Sequence, residues 1–464
     1  MLATEAFLCT PEMQALLGEQ GWVQAVMDFE AALVRAQARQ GLIPPAAAQA
    51  IASLCRAELY DVAALVAASG REGGLAPPLV RRLRENVALF DPQAAAWVHW
   101  GCSDQDALDT ALLLQIRRAL GLIEEGVLGL VGRLLDLAEQ HPATPLLARC
   151  ELQPAGPSSL RQRLHQSCAP LLRSAQALRQ QAGQALLLQL GGPGGGLGAM
   201  GESGAAVAAA MAAELRLGLP DGAWHTQRDR GVRLATELAL LSTELAKLAR
   251  GWMLLAQPEL DELRLDPADA APGSGSPQPG LAACMQALGA ARRAPQRLAS
   301  LLSCGQDQSL EGGLGSWQGE LVEWAGLLQG CHAGLRALNQ AAAALHLQPR
   351  RMRENLLAQR GLVFAEALSQ SLSQALGADP AQRLLQGWSR QVREQGADLQ
   401  TLVLGWREQE RLPGPLPGPD ELRALFDPDA AARRADERVA AGLAGLRAAW
   451  AGLMDQPCAH YATH

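Results

Sequence analysis

The sequence predicts an all-α protein, and three observations predict it. Ala, Leu, Gln and Arg, all good helix formers, dominate the 464 residues, whereas runs rich in Val, Ile and Thr are scarce. Apolar residues recur at alternating spacings of four and three in two long stretches: Ile116, Leu120, Ile123, Val127, Leu130, Leu134 and Leu137, then Leu234, Leu238, Leu241, Leu245, Leu248 and Trp252. The second stretch lies in a run free of proline from Asp221 to Gln257. A period of about 3.5 residues puts one apolar seam on each helix, the pattern of a bundle with small crossing angles.

The elements follow in order. Residues 11–70 alternate helical patterns with breaks at Gly41 and Pro44-Pro45, a looser segment runs from Gly70 to Pro78, and Phe90-Asp91-Pro92 stops the next helix. We therefore expect an N-terminal helical domain over residues 1–98. A central bundle domain, 99–347, holds the longest helices; the glycine-rich run Gly191 to Gly201 separates two of them and a Pro/Gly/Ser stretch, Ala271 to Gly280, interrupts it. The remainder, 348–464, reads as a C-terminal domain of shorter helices broken by a proline-rich loop at Pro413 to Pro419. No repeat at solenoid periods is evident.

Composition narrows the function. With 48% hydrophobic and 19% charged residues the chain is globular rather than disordered. A net charge of −7 without a basic stripe argues against nucleic acid as partner. Of the 40 Lys plus Arg only Lys247 is a lysine, so one residue alone is available as a lysine acid or ammonium clamp. The nine cysteines occur singly with no CxxC pair, indicating neither a zinc site nor a secreted disulfide framework. The N-terminus lacks the basic and apolar regions of a secretory signal, and charges break every apolar stretch before the ~20 residues of a membrane span. We expect a cytoplasmic protein with no membrane contact.

Local chemistry is sparse. The run Gly191 to Gly196 lacks the GK[ST] ending of a phosphate loop and follows no strand, so it reads as a flexible helix connection. There is no GxSxG elbow and no HExxH helix. Three constellations remain: His99 to Thr110, Glu151 to Pro157, and Trp224 to Arg230. Each alone reads either as helix capping and surface charge or as part of a site.

Together, in this order, the three resemble a known family. Val98-His99-Trp100-Gly101-Cys102-Ser103-Asp104-Gln105-Asp106, continuing to Asp109-Thr110, is similar to the VHxGATSQDxxDT segment of the fumarase/aspartase lyases. Leu152-Gln153-Pro154-Ala155-Gly156-Pro157 resembles their LQxAxP segment, and Trp224 to Arg230 resembles the WHTQRDR stretch of the 3-carboxy-cis,cis-muconate cycloisomerase branch. The resemblance implies three helical domains around a five-helix bundle, a homotetramer with active sites shared between subunits, and no metal or organic cofactor. It also implies addition to, or elimination from, a small polycarboxylate, with a loop serine as base and a loop lysine and asparagine stabilising the carbanion-like intermediate.

The sequence departs from that family at the loop, which aligns with Pro272 to Gly280. Ser274 and Ser276 are both candidates for the hydroxyl, Gln278 or Pro279 occupies the lysine position, and Gly280 or Leu281 the asparagine position. Asp104 replaces a small hydroxyl that contacts substrate carboxylate, and Glu151 replaces a histidine or tryptophan. One misplaced unit charge at 4 Å is worth about 4 kcal/mol at an effective dielectric of about 20, enough to reverse a preference for a polyanion.

Two readings follow. In the first, the chain is a diverged lyase or isomerase acting on a carboxylate less anionic than carboxymuconate. Glu151 is then the acid/base, its pKa raised by burial and by Asp104, with Ser274 as a second catalytic group. His99, Ser103, Asp104 and Gln153 line the substrate site, Gln227 and Arg228 hold one anionic group, and Arg228 acts as a fork. In the second, the chain is a non-catalytic paralogue with a binding or scaffold role. Cyclisation of carboxymuconate itself is a further alternative.

Overall fold

The computed structural model describes residues 3–265, 279–313, 315–409 and 416–461. The N-terminal part consists of α1 (Pro11–Leu17), α2 (Glu19–Arg39), α3 (Pro45–Leu54), α4 (Val62–Glu72) and α5 (Ala76–Phe90). The Thr10 hydroxyl caps α1 by accepting from the Met13 amide. The segment Gly70 to Pro78, expected to be loose, is mostly helical. Helix α4 runs through Gly70 and ends at Gly73 (φ +79), and Pro77 and Pro78 fall in the first turn of α5. A proline there forfeits no intrahelical hydrogen bond, so it starts the helix instead of preventing it.

The centre of the molecule is built from α6 (Asp104–Gln140), β1 (Pro145–Cys150), β2 (Gln153–Ser159), α7 (Leu160–Ala185), α8 (Gly204–Leu215), α9 (Asp229–Leu255), β3 (Leu263–Arg264), α10 (Pro279–Ala291), α11 (Ala294–Gln306), β4 (Gln308–Ser309), β5 (Gly312–Gly313), α12 (Ser316–Ala343) and β6 (His346–Leu347). Helices α6, α7, α9, α10 and α12 pack on one another as a five-helix bundle. Both predicted seams point into it: Ile116, Leu120, Ile123, Val127, Leu130 and Leu134 are no more than 1% exposed, and Leu234, Leu238, Leu241 and Leu245 are equally buried. At 37 residues, α6 spans roughly 55 Å. Strands β1 and β2 form an antiparallel hairpin that the helical reading did not anticipate, with a bulge between Ala148 and Arg149. Its turn, Glu151-Leu152, has φ of +53° and +64°.

The C-terminal part comprises α13 (Pro349–Leu357), α14 (Ala365–Leu376), α15 (Ala378–Gln395), α16 (Leu399–Gln409), α17 (Pro419–Leu425) and α18 (Pro428–Asp455). Leu356, Phe364, Leu368, Trp388, Val403 and Phe426 form a second core, which Leu147 of β1 joins. Helix α18 returns to pack on α7, α6 and β2. Among the described residues no helix is long and apolar enough to cross a membrane.

Candidate active site

The first two turns of α6 organise the site. Ser103 is the N-cap, its hydroxyl accepting from the Asp106 amide at 3.2 Å while Asp106 accepts from the Ser103 amide at 2.8 Å. The Asp106 carboxylate is fully buried and does more than cap. It also accepts from the Gly191 amide (3.0 Å), the Gly192 amide (2.8 Å) and His225 Nε2 (2.7 Å). The Asp106 oxygen that meets His225 also accepts the Gly191 amide, which makes Nε2 of His225 the donor in this contact. The first glycines of the run 191–196 are thus a cradle for the chain's own anion, not merely a flexible connection. A Cβ on Gly191 would lie 2.6 Å from Ala223 Cβ and 3.0 Å from His225 Cε1, and Gly192 holds φ +70. One turn on, the Thr110 hydroxyl donates to Gln189 O at 3.0 Å, and the Gln189 side-chain oxygen accepts from the Trp224 amide at 2.9 Å. Gln105 Nε2 donates to the carbonyl of His225 at 2.9 Å.

Arg228 is placed differently from the expectation of a carboxylate fork facing substrate. Its side chain is 3% exposed and grips Asp109 in a bidentate pair, both contacts at 2.9 Å, while Nε donates to Glu320 at 2.8 Å. Trp317 and Trp324 of α12 donate to Asp109 and Glu320 at 3.0 and 3.2 Å, and Arg228 lies 5.1 Å from the centroid of the Trp224 ring. Burial alone lowers the guanidinium pKa, but the two carboxylates outweigh it and the net shift is upward. Two buried acids consume the fork, so within the chain it ties α6, α9 and α12 together.

His99 sits at φ +61 on the turn before α6. Its Nδ1 is 2.5 Å from the fully buried Glu30 of α2, and Nε2 is 3.4 Å from Asp104, whose side chain is 49% exposed. Burial opposes the charged ring, but Glu30, Cys102 and Asp104 outweigh it, and the net shift of its pKa is upward, towards the imidazolium. Burial pushes the neighbouring Cys102 thiol up to about 12, with His99 opposing. The Asp104 carboxyl therefore faces a ring of the same chain that favours the charged form.

Ser103, Gln105, Gly192, Pro193 and His225, with residues 309–313 from the β4–β5 turn, line an open cleft of about 360 Å³. Asp104 lies between two lining residues in sequence, and neither it nor His99 is part of the lining. Other expected site residues are not brought to it within one chain. Glu151 and Gln153 are exposed at the tip of the β1–β2 hairpin, so within one chain Glu151 is neither buried nor beside Asp104: a two-residue turn between short strands projects its side chains outward. Gln227 is exposed, and among the described residues its amide donates to Ala223 O alone, at 3.5 Å. Ser274 lies outside the described residues. Pro279 and Gly280, expected in the loop, open α10, and a Cβ on Gly280 would collide with the Leu265 carbonyl.

Asp106, His225 and Asp109 were quoted within the motifs but given no role. Their signal was the capping box S-x-x-D and the three-residue step to Asp109, which places both acids on one side of α6. Glu30 and Glu320 gave no signal, because each meets its partner across a long sequence separation.

Comparison with known proteins agrees with this architecture. Residues 10–277 match the Lyase family. The chain is 41% identical over 430 residues to a 3-carboxy-cis,cis-muconate cycloisomerase of Pseudomonas aeruginosa, covering 91% of this chain and 92% of the relative. It is 35% identical to that of Bradyrhizobium diazoefficiens, covering 91% and 93%. The crystal structure of the 3-carboxy-cis,cis-muconate lactonizing enzyme from Pseudomonas putida superposes with a TM-score of 0.88 at 36% identity, covering 96% of this chain and 99% of that one.

Proposed function

Since the chain belongs to the Lyase family, within the fumarase/aspartase superfamily, we propose that it catalyses acid/base elimination, addition or isomerisation on a small carboxylate less anionic than carboxymuconate. The observation that carries this reading is the His225–Asp106 pair beside the cleft. Asp106 fixes the Nε2–H tautomer and stabilises the imidazolium that forms when Nδ1 takes a proton from the carbon next to a carboxylate. The preference for fewer charges rests on the cleft's lining, which among the described residues contains Glu311 and no arginine or lysine, and on the commitment of Arg228 to Asp109 and Glu320. Ser103 and Gln105 supply hydroxyl and amide contacts. Glu151 and Gln153 complete the site from the hairpin of another copy in a tetramer, with Glu151 as the second proton carrier; their exposure and that of Leu152, at 70%, support this role. Ser274 remains a candidate hydroxyl.

A second reading, cyclisation of 3-carboxymuconate, is favoured by whole-chain similarity to enzymes named for it. Turnover of 3-carboxymuconate and of cis,cis-muconate separates the two, measured beside His225→Asn. Faster conversion of the dicarboxylate supports the first reading and faster conversion of the tricarboxylate the second. Full activity in His225→Asn removes the mechanism in either case. Binding without turnover of any substrate supports the non-catalytic role.

A further inference from the structure

A second cavity, of about 130 Å³, lies where α7, the C-terminal half of α9 and the paired strands β3 and β6 meet. Its wall is mostly apolar: Leu164, Leu248, Trp252, Leu263 and Met352 are no more than 8% exposed. A dry cavity of roughly 150 Å³ with a comparable lining takes up benzene, so this one has room for about one six-membered ring. It is distinct from the cleft, since Leu248 lies roughly 30 Å along α9 from Arg228.

The charges around it do not balance. Lys247 pairs with Glu244 at the wall. Behind Leu263, Arg149 holds Glu262 at 2.8 Å, and Asn355 donates to the same oxygen at 3.0 Å. Arg163 of α7 also lines the cavity, and its guanidinium makes no hydrogen bond or ion pair among the described residues. Burial pushes its pKa down, with Glu262 opposing. The two pairs cancel and one half-buried guanidinium is left over beside a mostly apolar wall, partly stripped of water and without a protein counter-charge.

We infer that this cavity is a binding site for an aromatic or alicyclic monocarboxylate, with the carboxylate on the Arg163 fork and the ring among Leu164, Leu248 and Trp252. A neutral ring leaves the guanidinium unmatched. A second carboxylate on the ligand meets Glu244 at the wall and an otherwise apolar lining, so the site selects a single charge. A ligand there touches both the bundle and α13 and therefore stabilises the folded chain by mass action.

Calorimetric titration and thermal shift with benzoate, cyclohexanecarboxylate, benzyl alcohol and phthalate test this on the full-length protein. Benzoate and cyclohexanecarboxylate are expected to bind once per chain and raise Tm, with benzyl alcohol and phthalate about tenfold weaker or more. Arg163→Met, which keeps the apolar stem, is expected to lose about tenfold in benzoate affinity while benzyl alcohol is unchanged. Leu248→Trp fills the space and weakens both, and serves independently if Arg163→Met does not fold. His225→Asn leaves benzoate binding intact. The proposal is overturned if benzoate does not bind at millimolar concentration, if the folded cavity variants bind it as the parent does, or if His225→Asn abolishes binding, which would assign the ligand to the cleft.

Discussion

His225 Nε2 lies 2.7 Å from Asp106 Oδ1, and the same buried carboxylate accepts the amides of Ser103, Gly191 and Gly192. One side chain thus caps α6, closes the glycine turn and sets the histidine tautomer. Asp106→Asn keeps the shape but presents an amide N–H₂ to groups that are themselves donors. We predict a fall in kcat of about 10²–10⁴ and a loss of about 2–4 kcal/mol of stability. Steady-state kinetics and urea denaturation measure the two separately. An unchanged kcat in a folded variant excludes the dyad from the chemistry.

Arg228→Lys distinguishes a tie from a substrate clamp. Lysine cannot reproduce the bidentate grip on Asp109 together with the Nε bond to Glu320, so two buried carboxylates lose their match. The expected cost is about 3–5 kcal/mol of folding free energy. A rise in KM with unaltered stability would instead assign Arg228 to the substrate.

The raised pKa of His99 makes stability fall with pH. The unfolded histidine titrates near pH ~6.5. Below that value both states bind the proton and the Glu30 contribution is complete. Above it the native state alone keeps the proton, so the contribution declines by about 1.4 kcal/mol per pH unit towards the raised folded value. Denaturant titrations of the parent between pH 6 and 9 should therefore slope downward by about one proton more than those of His99→Gln. Parallel slopes would mean that the ring is neutral.

At the hairpin tip the prediction concerns function without stability. Glu151 is exposed and unpaired among the described residues, so Glu151→Gln is expected to shift stability by less than about 0.5 kcal/mol. Turnover should nevertheless drop by about 10² or more. Co-expressing Glu151→Gln with His225→Asn is expected to recover activity above either variant alone, because mixed assemblies contain some intact sites. An absence of recovery, with mixing verified, would place both groups in one chain's site or remove Glu151 from it.

Parts of this were legible in the sequence and parts were not, for physical reasons. The seams of α6 and α9 were readable because a repeat near 3.5 residues is local information. Ser103 and Asp106 were readable as a cap for the same reason. The second allegiance of Asp106, to Gly191, Gly192 and His225, spans 85 to 119 residues and has no local signature. The fate of Arg228 was misread because its partner Glu320 lies 92 residues away on another helix. The exposure of Glu151 within one chain was not legible because the β1–β2 turn, which sets it, was not anticipated.

The internal ties of α6 also bear on how such a chain changes over generations. Asp106, Asp109 and Thr110 are each bonded within the frame, so drift at these positions is paid in folding, whatever the substrate. The rim is not bound in this way: Leu310, at the β4–β5 turn, is 91% exposed. Selection for a new substrate therefore has residues to vary at the rim that do not first pass through an unfolded intermediate. The scaffold and the preference are separable traits, inherited on different stretches of one chain.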